Sequence, residues 1–319
     1  MVYHYVVTAP GQGVQRPGML DPWLERVSGA VDLVGDWSQA VGFDLAEAGR
    51  DASLLADTAF AQPLIVATSL LACRLLRSEV PMASGEVLFA GHSVGELAAA
   101  SAAGYLAPGE AVRLAHVRGA AMSAACGTAP TGMAAVMPTK RAGAADADIV
   151  DAVVAAGLTV ANWNGSHQFV AAGPLDRVEA LAAAPAPGTR VAPLAVAGAF
   201  HTEAMAPAVE EFARAVRESR FTDPDAALLG NADGAPVTGP DDLRRRLVTQ
   251  ITSPVRWDRC SESIARLAPG ALHIELAPAG PLTRLLQRTD PTARAVAVTA
   301  PEDVHRLAAE AAAPAMAAA

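Results

Sequence analysis

Ser93 stands in Gly91-His92-Ser93-Val94-Gly95-Glu96, between an apolar run, Val87-Leu88-Phe89-Ala90, and a small-residue run, Leu97-Ala98-Ala99-Ala100, that Gly104 stops. Strand, turn and helix in that order are the setting in which G-x-S-x-G exposes a serine at the tip of a sharp elbow. The flanking glycines keep side chains out of the crossing of helix and strand, and the serine is a candidate nucleophile. A serine hydroxyl attacks poorly at neutral pH and needs a base, a role that suits the ordinary pKa of histidine. Of the seven histidines, His4, His116, His167, His273 and His305 fall where packing or surface roles suffice. His92 adjoins the serine on a turn that points neighbouring side chains apart, which gives it an elbow-packing role. His201, in Gly198-Ala199-Phe200-His201-Thr202, lies where one strand has ended and a helix is about to begin, the sheet edge at which α/β sites gather. It is either the base or an ordinary loop histidine.

Arg118 has Ala111, Leu114, Ala115, Ala121, Met122 and Ala125 at helical spacing around it, so an arginine sits in the centre of an apolar face. Its fork suits a carboxylate, either of the protein or of a substrate. The competing reading is that it snorkels to the surface or pairs internally. Glu96 reads as a helix-start charge favoured by the helix dipole. Pro10-Gly11-Gln12-Gly13 follows the first apolar run, and its glycines allow a close backbone approach to an anion or a carbonyl.

These residues need a frame. A strand over 3–9, a helix over 51–80, the strand and elbow, and a helix over 108–126 alternate in the manner of a parallel α/β sheet. Between about 127 and 196 the pattern changes to strand 133–137, helix 147–156, strands 159–162 and 168–172, helix 175–184 and strand 190–196. That βαββαβ order is ferredoxin-like. Asn164-Gly165 between its middle strands is a hairpin signal, since both residues tolerate positive φ. After Gly198 the α/β rhythm returns with helix 203–217, strand 226–230, helix 241–251, strand 273–276 and helix 281–288. A discontinuous large domain, 1–126 and 198–319, with 127–197 inserted, is therefore expected. The alanine-rich tail 310–319 reads as a frayed helix end.

A chain of 319 residues can bury a substantial core. No stretch of about 18 apolar residues lacks charges or breakers, and no signal-peptide layout opens the chain, so no membrane contact and a cytoplasmic location are expected. Cys73, Cys126 and Cys260 are widely spaced and odd in number, which points to neither a disulfide framework nor a metal site. A net charge of -9 argues against nucleic acid as a partner. The short basic run Arg244-Arg245-Arg246 is either a solvated charge run or a local docking patch.

Taken together, Pro10-Gly11-Gln12-Gly13, Ala61-Gln62-Pro63, the elbow hexapeptide, Arg118-Gly119, Gly198-Ala199-Phe200-His201 and Ser253-Pro254-Val255-Arg256-Trp257 resemble the malonyl-CoA:acyl-carrier-protein transacylase family over about 5–300. The chain length is similar to that of the stand-alone bacterial enzymes. The resemblance implies an α/β hydrolase-like large domain with an inserted ferredoxin-like domain, and a ping-pong transfer. Ser93 would attack the malonyl thioester and His201 would act as base. The backbone N–H groups of Gln12 and Val94 would form the oxyanion hole, and the Gln250 carbonyl would orient His201. Arg118 would clamp the malonyl carboxylate, with Gln62, His92, Phe200 and Asn162 as further substrate-binding residues. Phe200 and Val94 resemble the malonyl-type pattern rather than the branched-extender one, because a ring there would crowd an α-methyl. The implied partners are malonyl-CoA and a phosphopantetheinylated acyl carrier protein in fatty-acid or polyketide synthesis. A monomer is expected, with no bound cofactor and coenzyme A entering only as part of the substrate. Thioester hydrolysis by the same acyl-serine, or a docking module with an inert elbow, are the competing functions.

Overall fold

The computed structural model describes residues 2–139, 144–165, 167–196 and 198–317; Ala197, the expected end of the inserted unit, and the last two residues of the tail lie outside them. Its strands in chain order are β1 (Tyr5–Ala9), β2 (Val87–Gly91), β3 (Thr131–Pro138), β4 (Thr159–Gly165), β5 (Gln168–Pro174), β6 (Thr189–Pro193), β7 (Ala227–Leu229), β8 (Val255–Arg256), β9 (Leu272–Glu275) and β10 (Ala295–Ala297). They form two sheets.

The first sheet has the order β10-β9-β1-β2-β7, and every neighbouring pair is parallel. All of β2 is buried, as a central parallel strand covered on both faces requires. Side chains alternate across it. Val6, Leu88, Ala90 and Leu229 pack on one face against Trp257, Cys260, Ile264, Leu282 and Leu285. Val7, Val87 and Phe89 pack on the other, in the larger core built around the Thr58–Glu79, Gly95–Ala102 and Pro108–Cys126 helices.

The second sheet has the order β6-β3-β5-β4-β8. Its first four strands pair antiparallel, in the 4-1-3-2 order of a ferredoxin-like βαββαβ unit. The Asp146–Ala155 and Leu175–Ala183 helices cover one face, where Ile149, Val153, Val178 and Leu181 meet Ala134, Val136, Val160, Phe169 and Ala171. A register shift between Val160 and Asn162 reverses the alternation along β4, so Asn162 turns to the opposite face. The two-residue β8, contributed by the chain after the first sheet's β7, pairs parallel with β4 at Asn162 and Trp163. It joins the sheets.

Several elements differ from expectation. The helix expected from 51 starts at Thr58, where Asp57 accepts the Ala59 N–H as its cap. The helix expected over 203–217 opens as a 3-10 segment, Glu203–Ala208, with Pro207 inside it, before the α-helix Val209–Glu218. In the hairpin, positive φ falls on Gly165 and His167 rather than on Asn164. Residues 14–50, unassigned from sequence, carry the helices Asp21–Arg26, Ala30–Val41 and Leu45–Ala48, which bury Trp23 and Trp37. The Thr58–Glu79 helix is long and apolar enough to cross a membrane, but 83% of its most apolar window is buried inside the protein. Arg244, Arg245 and Arg246 are paired with Asp241, Asp242 and Asp233, so the run is not a free cationic patch.

Candidate active site

The elbow forms because two glycines let three backbone segments touch. A Cβ on Gly91 would strike the Gly95 carbonyl, and one on Gly95 would strike the Ala9 carbonyl at the end of β1. Ser93 takes φ 54°, a left-handed conformation that costs a non-glycine residue about 1–2 kcal/mol. Its Oγ lies 2.8 Å from His201 Nε2 and 3.2 Å from Arg118 Nη2. His201 itself has φ 61°. Its Nδ1 is 2.8 Å from the carbonyl of Gln250, the residue that closes the Pro240–Thr249 helix. When Nδ1–H donates there, Nε2 is left as the acceptor facing Ser93. Burial, and next the Arg118 charge, hold the His201 pKa down to about 3, so the imidazole is neutral at neutral pH with its Nε2 lone pair free. The pairing needs no acidic third residue, because a backbone carbonyl fixes the ring.

Arg118 is 3% exposed and donates through Nη1 to Gln62 Oε1 at 2.7 Å. It neither snorkels to the surface nor forms an ion pair with any described Asp or Glu; burial pulls its pKa down to about 10, against the opposing charge of Glu96. A guanidinium held this way, one hydrogen bond from Ser93, is open to an incoming anion. The contact continues through side chains. Gln62 Nε2 donates to Thr58 Oγ1 at 2.8 Å, and Thr58 Oγ1 donates to Gln12 Oε1 at 2.6 Å. Gly119 makes this possible, since a Cβ there would strike the Thr58 carbonyl where the two helices cross. Among the described residues, neither the Gln12 nor the Val94 backbone N–H has a hydrogen-bond partner.

Gln12, His92, Ser93, Asn162, Phe200 and His201 line a cleft of about 400 Å³ between the two sheets; Arg118, Gln62 and Val94 lie behind this lining, with Arg118 reaching it through Ser93. Phe200 and Asn162 are 8% and 7% exposed. His92 Nε2 lies 3.0 Å from Asn164 Oδ1, and its ring centre is 5.7 Å from that of Trp257, so His92 ties the elbow to the second sheet. Glu96 sits in the first turn of the Gly95–Ala102 helix, as expected, but is buried there. It is 1% exposed and accepts the Asn231 backbone N–H at 3.0 Å; burial raises its pKa to about 7. Asn231 and Thr58 drew no attention in the sequence, because a turn asparagine and a helix-start threonine carry no local mark of long-range contacts. No group of three or more His, Cys, Asp or Glu suited to a metal ion occurs among the described residues.

The acyl transferase domain family model matches residues 5–309. The malonyl CoA-acyl carrier protein transacylase of Mycobacterium tuberculosis is 45% identical over 302 residues, covering 94% of this chain and 98% of that protein. The chain belongs to the malonyl CoA-acyl carrier protein transacylase family. The transacylase of Escherichia coli is 32% identical over 301 residues, 92% of this chain and 94% of that one. The crystal structure of MCAT from M. tuberculosis superposes with a TM-score of 0.90 at 44% identity, over 95% of this chain and 99% of the other. The two-sheet α/β architecture expected from the sequence is thus that of the transacylase family.

Proposed function

We propose that this protein carries a malonyl group from malonyl-CoA, through an ester on Ser93, to the phosphopantetheine thiol of an acyl carrier protein. The observation that carries this reading is Arg118: a buried guanidinium 3.2 Å from the Ser93 Oγ that forms no ion pair with any carboxylate among the described residues. An acyl group that ends in a carboxylate supplies the missing partner. In the first half-reaction His201 Nε2 takes the Ser93 proton as Oγ attacks the thioester carbonyl. The N–H groups of Gln12 and Val94 receive the oxyanion, a contribution of about 100- to 1000-fold per donor. Collapse expels the coenzyme A thiolate, which takes the proton from His201. In the second half-reaction His201 deprotonates the carrier thiol, the thiolate attacks the ester, and Ser93 recovers the proton as it leaves. Phe200 fills the wall where a branch on the acyl α-carbon would lie. Residues 127–197 act as the inserted smaller domain, a reading supported by the separate hydrophobic cluster under β3, β4 and β5. The reaction takes place in the cytoplasm, where both thioester substrates would be met.

Intact-mass measurement of Ser93 loading tests the assignment. The native protein loads malonyl far faster than acetyl, and Arg118→Ala lowers malonyl loading by about 10- to 100-fold, the worth of a charge-assisted pair, while acetyl loading changes little. Equal effects on both acyl groups would remove the clamp. Free malonate measured beside malonyl-carrier separates transfer from hydrolysis.

A further inference from the structure

Asn231 is completely buried just beyond the end of β7, the strand that flanks β2. Its side-chain oxygen accepts the Ser93 N–H at 2.7 Å, and its side-chain nitrogen donates to the Gly91 carbonyl. Those two groups lie one residue after and one residue before His92. In a parallel sheet, one residue of a neighbouring strand bonds such a pair with its own C=O and N–H. No backbone is there to do it, because β7 has already turned: the Gly230 N–H bonds to the Ala235 carbonyl. A primary amide carries the same donor and acceptor as a peptide, so the side chain adds one rung to the ladder. On the opposite side the His92 N–H donates to the Ala9 carbonyl at 2.9 Å.

The amide is itself fixed at both ends of its residue. The Asn231 N–H is held by Glu96 Oε1 at 3.0 Å, and its carbonyl accepts the Arg256 N–H of β8 at 2.8 Å. Glu96 Oε2 has no hydrogen-bond partner among the described residues, which leaves the Asn231 N–H as the one bond this buried carboxyl makes.

We propose that Asn231 is a positioning residue for the nucleophile: its side-chain amide replaces a missing strand and, braced by Glu96, holds the Ser93 peptide in the left-handed conformation that presents Oγ to His201. Only asparagine meets both demands. Aspartate offers no donor to the Gly91 carbonyl and would set a charge against it, and glutamine is one methylene too long for the gap. This inference requires Ser93 to be the nucleophile and is independent of which acyl group it carries.

The test uses the full chain and two electrophiles, malonyl-CoA and a neutral fluorophosphonate that needs no contact with Arg118. In Asn231→Ala both single-turnover rates fall by about 100-fold, the cost of a misplacement near 1 Å, while half-saturation by malonyl-CoA stays within about threefold of native. Asn231→Asp, which keeps the acceptor and loses the donor, falls in the same direction and serves where the alanine variant fails to fold. Glu96→Ala is also slow with both electrophiles, and Glu96→Gln, which restores the acceptor for the Asn231 N–H, recovers most of the rate. Native-like fluorophosphonate labelling in folded Asn231→Ala and Asn231→Asp would overturn the proposal, as would Glu96→Gln no faster than Glu96→Ala. If native protein reacts with the fluorophosphonate and not with malonyl-CoA, the malonyl assignment fails and the positioning role stands.

Discussion

His201 is the base of the proposed mechanism, and what its surroundings secure at neutral pH is a neutral ring with a free Nε2 lone pair. Its pKa of about 3 reflects burial first and Arg118 second, against an ordinary value of 6.5. The rate of Ser93 acylation should therefore show no acid limb near pH 6.5; such a limb in a pre-steady-state pH profile would mean that the ring is solvated. Arg118 has two parts in the proposed mechanism, helping to keep the imidazole neutral and receiving the acyl carboxylate. In the proposed mechanism Phe200 acts sterically. Phe200→Ala should raise loading of methylmalonyl relative to malonyl by about 10- to 100-fold, the worth of relieving 1–3 kcal/mol of crowding, read by competition between the two thioesters. Ser93 and His201 were visible in the sequence because a turn motif and a strand-to-helix junction are local patterns. Arg118 was visible only as an anomaly, a charge in an apolar stripe, and the chain alone left open whether it was paired. Asn231 was not visible, since its partners Gly91, Ser93 and Glu96 lie 135 to 140 residues away.

Most expected elements recur with bounds shifted by a few residues: the Pro108–Cys126, Pro240–Thr249 and Pro281–Thr289 helices, β1, β2, β7, β9 and the βαββαβ run from β3 to β6. Elements without a local pattern escaped. β8 has two residues, and its pairing with β4 depends on a neighbour about ninety residues earlier in the chain. The Ala30–Val41 helix is flanked by Gly29 and Gly42 and interrupted by Gly35, which breaks the sequence signal while leaving Val34, Trp37 and Val41 to bury one face. The elbow shows how strictly packing fixes residue type. Gly91→Ala and Gly95→Ala each drive a Cβ into backbone, which cannot swing aside as a side chain can. Each should lower stability by about 3 kcal/mol or abolish folding, seen as a drop in the urea midpoint, whereas Gly85→Ala, facing open space, should not.

The whole molecule carries two buried groups whose titrations oppose one another. His201 stays neutral in the folded chain, so below pH 6.5 the unfolded chain binds a proton that the native one does not, and stability rises with pH from about 3 to 6.5. Glu96 keeps its proton up to about 7 against an ordinary 4.5, so its contribution is greatest at low pH and is lost as pH rises through that interval. The two slopes cancel between about 4.5 and 6.5. Relative to native, the Tm of Glu96→Gln should climb as pH is raised across that window and the Tm of His201→Ala should decline; parallel curves would contradict both placements. Ser93 and His201, the two residues proposed to meet the substrate, sit at φ 54° and 61°, where glycine is at home. Ser93→Gly exchanges about 1–2 kcal/mol of left-handed strain for about 0.5–1 kcal/mol of added unfolded-chain entropy, whereas His201→Gly also deletes a buried ring bonded to the Gln250 carbonyl. A library of this chain sorted by heat resistance alone would therefore drift toward glycine at position 93 and lose turnover as it hardened, so only a screen that reads product can keep the serine.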